Sequence, residues 1–438
     1  MMYIVPVFST VGSAIAWMFV KYGKKKILIC QWIIMILAVI ILMLRHYEAL
    51  LIGRILVGLS FGITNAISPI FIKDINPETN QGPMIALIQL WINFGHISSL
   101  SLAFLLPQFF RPNYEVDDYW GPIDNTYIAW REILGFPVII AIIQLLAFIF
   151  IFKKEDPLFE EYIQFQNSSF QSDFSMNSEE ISQGYNIQQA NWTPTSRLER
   201  DTWKRLWRQT ELRKVFSGTV LRVLYQFTGI NIALNFSFFF RFTPNNMYFN
   251  LRLIVTWFSI IATFGAMYLL KNGKRKPILL AGSLIAWVCW WIIFQCFGEI
   301  SSLDMTIGVL ESLPNLIMMT TIVIFTTGFW FTSASAVYVY SAEILTDKGM
   351  AIASATHWAT NTFISLMPNF GISILRESGE SVYFHDENSI SFFAFSGISI
   401  CGFFLITIFI KETKGRTKRE ISKDFRRSHF EALVEHDS

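Results

Sequence analysis

Hydrogen-bonding side chains stand in this chain at places where apolar residues are expected. Gln226 and Asn231 flank Gly229 inside one apolar run, and Gln89 lies inside another. A primary amide both donates and accepts. These three can therefore bond the hydroxyl groups of a small polar solute or, as the plainer reading, join neighbouring helices. The Thr228-Gly229 pair can loosen the helix beside them and expose backbone groups. Trp358 and Tyr338 offer ring faces on which a ring-shaped solute could stack, with simple packing as the alternative. His357 titrates near neutral pH, although a hydrogen-bonded packing histidine is the simpler assignment.

Two cations lie in apolar runs as well. A charge deep in such a run is costly and usually faces a cavity or a partner. Arg54 sits near one end of its run, where a long side chain can reach out to water. Arg222 precedes Gln226 by one helical turn and shares its face. It would place positive charge beneath the amides and favour an acid-bearing solute over a neutral one. The plainer reading is an arginine that caps backbone carbonyls or reaches the aqueous interface. No reaction chemistry accompanies these groups: there is no HExxH, GxSxG or P-loop pattern and no pair of aspartates within the apolar runs, so an enzyme is not expected. Cys30, Cys289, Cys296 and Cys401 lie in apolar runs without CxxC spacing, and no disulfide framework, metal or cofactor is expected.

The elements that must position these residues follow from composition. Of 438 residues, 53% are hydrophobic and only 16% charged, with 42 Phe and 14 Trp. A soluble chain would carry charge on about a quarter of its residues. Here apolar runs of about twenty residues alternate with short charged clusters, the pattern of helices crossing a bilayer. Eleven spans are predicted, near 2–20, 27–44, 50–72, 84–106, 130–152, 216–240, 251–270, 277–297, 315–339, 350–375 and 391–410. The connections at 107–129 and 153–215 are long, and the second is polar. Of the 35 Lys and Arg, 27 fall on one side of the spans and six on the other, with Arg54 and Arg222 inside them. The positive-inside rule makes the richer side, which holds the tail from 411, cytosolic. The Asn167 and Asn191 sequons fall in the cytosolic loop and are expected to stay unmodified. A net charge of +2 gives no reason to expect nucleic acid as a partner. The basic clusters at 21–26, 271–276 and 411–427 read as topology signals and lipid-headgroup contacts.

An internal repeat organises the spans. Lys21-Tyr-Gly-Lys-Lys-Lys26 and Lys271-Asn-Gly-Lys-Arg-Lys276 share the form K-x-G-K-[KR]-K, and the loops at Asp74–Gly82 and Glu343–Gly349 correspond two spans later. Duplicated halves of this kind are typical of secondary transporters, whose solute sits between them. The second basic loop follows two spans of its half and the first follows one, so the first half is expected to lack its opening helix. The resulting arrangement is five plus six. It comprises an N-terminal bundle at 1–152, a cytosolic loop at 153–215, a C-terminal bundle at 216–410 and a cytosolic tail at 411–438.

The motifs resemble those of the sugar porter family of the major facilitator superfamily. Gly53-Arg54-Ile-Leu-Val-Gly58 is similar to that family's G-R-x-x-x-G, followed by Pro69 and the Asp74, Pro77 and Gly82 loop. Gln89, Trp130-Arg131, the Glu155 and Pro157 remnant of P-E-S-P, and Gln226-Phe-Thr-Gly-Ile-Asn231 follow in the family's order. Trp358 and Asn361 match N-W-x-x-N, and Lys411-Glu412-Thr-Lys-Gly415 matches P-E-T-K-G. The resemblance implies an all-α membrane protein with a two-bundle major facilitator fold that moves a sugar or related polar metabolite by alternating access. It also implies a substrate pocket from Gln89, Arg222, Tyr225, Gln226, Asn231, Tyr338, His357, Trp358 and Asn361. A gating charge network would come from Arg54, Asp74, Glu155, Lys274, Arg275, Glu343 and Glu412.

The departures are as specific. Val20, Gln81 and Leu270 replace charged residues of that network, and the loop after Glu343 is short and lacks its arginine. Tyr225 and His357 replace amides of the pocket, and Val337-Tyr338 aligns with a proline-tryptophan pair. In proton-coupled members the arginine matching Arg54 pairs with an aspartate on the first helix, which is missing here, so coupling to protons stays open. A non-transporting relative, sensor or decayed carrier, is the rival reading. The expected partners are the bilayer, the solute and candidate protons, with a monomer in the plasma membrane as the default and the vacuole or another endomembrane next.

Overall fold

The computed structural model describes residues 3–44, 46–77, 79–110, 135–150, 209–234, 245–301, 313–377 and 384–426. Among these residues the structure is helical, with no strand. The helices are α1 (Ile4–Phe19), α2 (Lys24–Leu42), α3 (Tyr47–Ile75), α4 (Gln81–Phe110), α5 (Pro137–Phe150), α6 (Gln209–Phe227) and α7 (Ile230–Leu234). They continue with α8 (Asn245–Asn272), α9 (Arg275–Ser301), α10 (Leu313–Phe331), α11 (Ser333–Ile344), α12 (Asp347–Glu377), α13 (Phe384–Phe409) and α14 (Lys418–Arg426). Each predicted span falls on one of these helices or on a broken pair. Much of the two long connections, Trp130-Arg131, Glu155, Pro157 and both sequons lie outside the described residues.

Seven stretches are long and apolar enough to cross a bilayer: 24–42, 47–75, 81–102, 252–272, 275–296, 316–344 and 391–409. Helices α1 and α5 are apolar but shorter, while α6 and α12 carry the polar residues discussed below. Only a helix satisfies its own backbone in hydrocarbon, which is why these runs fold as they do. Their outer faces keep large apolar side chains exposed, among them Trp91, Ile143, Phe150, Ile261, Tyr268 and Phe404. Apolar exposure on that scale suits a lipid-facing surface.

Helices α1 and α2 pack on α3, and α5 packs on α2. The α1–α3 crossing is close because small residues line it, Ser9, Gly12, Ser13 and Ala16 on α1 and Gly58 and Gly62 on α3. A Cβ at Gly58 would lie 2.6 Å from the Val5 carbonyl, and Ser13 Oγ donates to the Gly62 carbonyl at 2.9 Å. In the second set, α9 packs on α10 and α13, and α6 on α12, α11 and α13. The two sets meet along α1–α12, α3–α12, α4–α8 and α4–α11. Helix α11 lies at the centre, with every residue buried except Glu343.

Two spans are broken. Gly229 separates α6 from α7 with a φ of 77°, which L side chains rarely adopt, and a Cβ there would meet Trp290 at 2.7 Å. The Trp290 indole donates to the Thr228 carbonyl at 2.5 Å, satisfying a group freed by the break. Helices α10 and α11 part at Thr332, whose hydroxyl bonds back to the Gly328 carbonyl at 2.6 Å. The terminal α14 begins with a capping box of Thr417 and Glu420. It buries Ile421 and Phe425 and is held against α6 by Arg213, bonded to the Phe425 carbonyl at 3.1 Å, and by Lys214, bonded to Ser422 at 2.7 Å.

Candidate functional site

The break after α6 places Gln226 at the hub of a buried polar cluster. Its Oε1 accepts from Asn231 Nδ2 at 2.7 Å and from Asn361 Nδ2 at 3.3 Å, and its Nε2 lies 2.8 Å from His357 Nε2. Four residues named from sequence are thereby joined across α6, α7 and α12. Tyr225 lies beside them, its ring 5.1 Å from that of His357 and 6.1 Å from that of Tyr338. Trp358 stands edge-on to His357 at 5.6 Å, and its buried indole N–H has no partner among the described residues. Gln89 on α4 is fully buried, and neither atom of its amide is hydrogen-bonded among the described residues. Orphaned polar atoms in an interior are costly, and a ligand's hydroxyls could satisfy them.

One turn below, Arg222 is completely buried. Its Nη1 donates to Asn65 Oδ1 at 2.6 Å, and its guanidinium lies 4.4 Å over the Tyr338 ring. Neither plain reading of Arg222 holds: its described partners are side chains, not backbone carbonyls, and it does not reach the surface. One face of Tyr338 is thus covered by the cation, while its hydroxyl accepts from Asn65 Nδ2 at 3.1 Å. Asn65 was not singled out from sequence, although it is an amide in the apolar stretch of α3.

The charge network is present but rewired. Lys24 Nζ contacts Asp74 at 2.6 Å and Asp347 at 3.1 Å, tying α2 to both α3 and α12. Lys73 donates to the Ala342 carbonyl, a second tie between the helix sets. Arg275 is buried, pairs with Glu343 at 2.9 Å and also donates to the Leu270 carbonyl. Thr413 donates to the same carboxylate at 2.5 Å. Val20, Gln81 and Leu270 stand where the resemblance implies charged residues, yet charge reaches the network from elsewhere. Lys24, Lys73 and Asp347 supply the charge, Gln81 donates to the carbonyls of Lys73 and Asn76, and Leu270 takes part through its backbone.

Glu412 accepts four backbone N–H groups, from Arg275, Lys276, Thr413 and Lys414, at 2.9–3.1 Å. Two of them open α9, so the carboxylate caps that helix. Burial pushes the Glu412 pKa up, but the backbone donors outweigh it and hold the carboxyl below its ordinary value. Two expected members are not brought in. Lys274 is exposed and joins no ion pair among the described residues, because the turn at Gly273 directs Arg275 inward in its place. Arg54 is half-buried on α3 with no such pair either. Glu155 lies outside the described residues.

Comparison with known proteins places this geometry. The chain is 24% identical to a hexose transporter 1 of Plasmodium vivax (strain Brazil I), over 96% of this chain and 82% of that protein. It is 24% identical to a galactose-proton symporter of Escherichia coli (strain K12), over 94% of this chain and 82% of the other. Its fold is similar to that of the major facilitator superfamily proton:xylose symporter XylE bound to 6-bromo-6-deoxy-D-glucose. There the TM-score is 0.73 and the identity 17%, over 96% of this chain and 88% of the other. The family model described as sugar (and other) transporter matches residues 1–425. The chain is therefore a multi-pass helical membrane protein and belongs to the sugar (and other) transporter family.

Proposed function

We propose that this chain carries a monosaccharide, or a small metabolite of similar polarity, across a membrane by alternating access. The observation that carries the reading is the hub of Gln226, Asn231, Asn361 and His357 at a helix break, with the buried amide of Gln89 on α4 unpaired among the described residues. Amides of this kind recognise hydroxyls through paired donors and acceptors, and a broken helix between two bundles is where transporter sites are built. Family membership supports the reading, as do relatives described as carriers of hexose, galactose and xylose.

In this account the bundles are residues 1–152 and 216–410, joined by the 153–215 loop. The face bearing Lys24, Lys73 and Arg275 is cytosolic and is closed by the ties between α2, α3, α11 and α12. The protein works as a monomer in the plasma membrane, with its C-terminus inside, without enzymatic activity. Protons are the candidate coupling ion, as the relatives described as symporters suggest. Uptake of labelled hexose in cells lacking their own hexose carriers tests the reading. Saturable uptake above that of mock-transfected cells is expected. No uptake of any monosaccharide, with the protein present at the surface, would refute it.

A further inference from the structure

The contacts of Arg222 leave its charge poorly satisfied. Nη1 has one bond of ordinary strength, to Asn65 Oδ1 at 2.6 Å. Its other contacts are long or weak: Nη1 to Ser354 Oγ and Nε to Ser341 Oγ at 3.4 Å each, and Nη2 to the Met350 thioether at 3.1 Å. The Tyr338 ring covers one face. No carboxylate among the described residues pairs with this cation, although it is fully buried. A guanidinium in a membrane interior is retained against a large desolvation cost when a partner of opposite charge meets it.

The one good partner is also conditional. Asn65 belongs to α3, whereas Arg222, Ser341, Met350 and Ser354 belong to α6, α11 and α12. Rocking of the helix sets that separates α3 from α12 breaks the Arg222–Asn65 bond, leaving the guanidinium flanked by two serine hydroxyls and a tyrosine. The Ser341 hydroxyl stays donated to the Val337 carbonyl at 2.7 Å, whereas that of Ser354 is released from the Asn65 carbonyl, and planar N–H donors beside a free hydroxyl match an oxyanion.

Resting on the sugar-carrier reading, we propose that Arg222 and Ser354 form an oxyanion subsite one helical turn below Gln226, opened when α3 carries Asn65 away. It takes either a carboxylate borne by the sugar or a free small anion that accompanies a neutral sugar. The protein, purified in detergent, is titrated with glucose, with glucuronate, and with inorganic phosphate or formate exchanged against a bulky sulfonate at constant ionic strength. Binding is read as a thermal-stability shift and as competition with labelled glucose.

If the carboxylate is substrate-borne, glucuronate competes in the wild type. The ratio of glucuronate to glucose affinity then falls about tenfold or more in Arg222→Gln and is largely kept in Arg222→Lys. If the anion is free, phosphate or formate strengthens glucose binding in the wild type and this dependence is lost in Arg222→Gln. Reading a ratio, with the lysine variant retaining charge, separates the effect from general damage to folding. Saturable glucose binding with no glucuronate competition and no anion dependence overturns the subsite and leaves the sugar-carrier reading standing. Glucuronate binding without glucose binding supports the subsite and overturns the neutral-hexose reading. No response to glucuronate, to the anions or to any monosaccharide overturns both.

Discussion

Asp347→Asn should unlatch the closed face of the protein by a calculable amount. Lys24 Nζ sits between Asp74, at 2.6 Å on its own helix set, and Asp347, at 3.1 Å on the other. The side chains are 6%, 17% and 18% exposed, so the bond between the sets is only partly screened. At that separation and an effective dielectric of about 20, the Coulomb attraction is roughly 5 kcal/mol, most of it offset by desolvation of the ions. A net contribution of about 1–2 kcal/mol remains, close to that of other charge-assisted hydrogen bonds. Asparagine at 347 leaves Lys24 paired with Asp74, so no buried charge is orphaned and the cost falls on closure alone. The open population should rise roughly 5- to 30-fold. Lys24→Met should do more, because it also leaves Asp74 and Asp347 facing each other unpaired. A small gap of about 10 Å³ beside the bond is lined by Ala16, Trp17, Ala66 and Ala351. A cysteine at Ala351, in a background with the exposed Cys30 and Cys401 replaced by serine, reports opening through its labelling rate with an impermeant maleimide. Unchanged labelling in Asp347→Asn, or an effect equal to that of Lys24→Met, would refute the latch.

Four further outcomes are expected. Gln89→Leu removes two unsatisfied buried atoms, so thermal stability should hold or rise while sugar affinity falls about tenfold, given the usual cost of losing a buried hydrogen bond to a ligand; lost stability with unchanged affinity would contradict this. Gly229→Ala should lower stability by about 2 kcal/mol through its left-handed backbone and its clash with Trp290. Gly397→Ala, where a Cβ meets nothing within 4 Å, should be close to neutral in the same melting experiment. Glu412, whose folded pKa is depressed, contributes stability above the ordinary glutamate range and loses it as pH falls through the folded value. The stability gap between wild type and Glu412→Gln should therefore be largest near neutral pH and close on acidification; a gap that persists in acid would count against the four-donor capping.

Much of this was legible in the chain because spans and motifs are local signals. Runs of about twenty apolar residues set the helices, and the Thr228-Gly229 pair marked the break that brings Gln226 to Asn231. The clustering of Gln226 with His357 and Asn361 followed from motif order. What escaped was set by tertiary approach. Lys24 lay in plain view within the basic repeat, yet nothing in the sequence tells which of Lys24, Lys25 and Lys26 turns inward to meet Asp347. Asn65 looked like one more residue of an apolar helix until α3 was placed against α6 and α12. The charges missing at Val20, Gln81 and Leu270 did not reveal that Lys73 and Arg275 reach backbone carbonyls at the same end of the helices.

The most direct test of the carrier reading is counterflow in proteoliposomes containing only the purified chain. Vesicles loaded with unlabelled glucose are diluted into trace labelled glucose, and internal label is followed over time. The account predicts a transient overshoot of label above equilibrium, absent from protein-free vesicles and reduced in Gln226→Ala. Label that never exceeds equilibrium, with glucose or any other monosaccharide and with correctly folded protein in the bilayer, would contradict it.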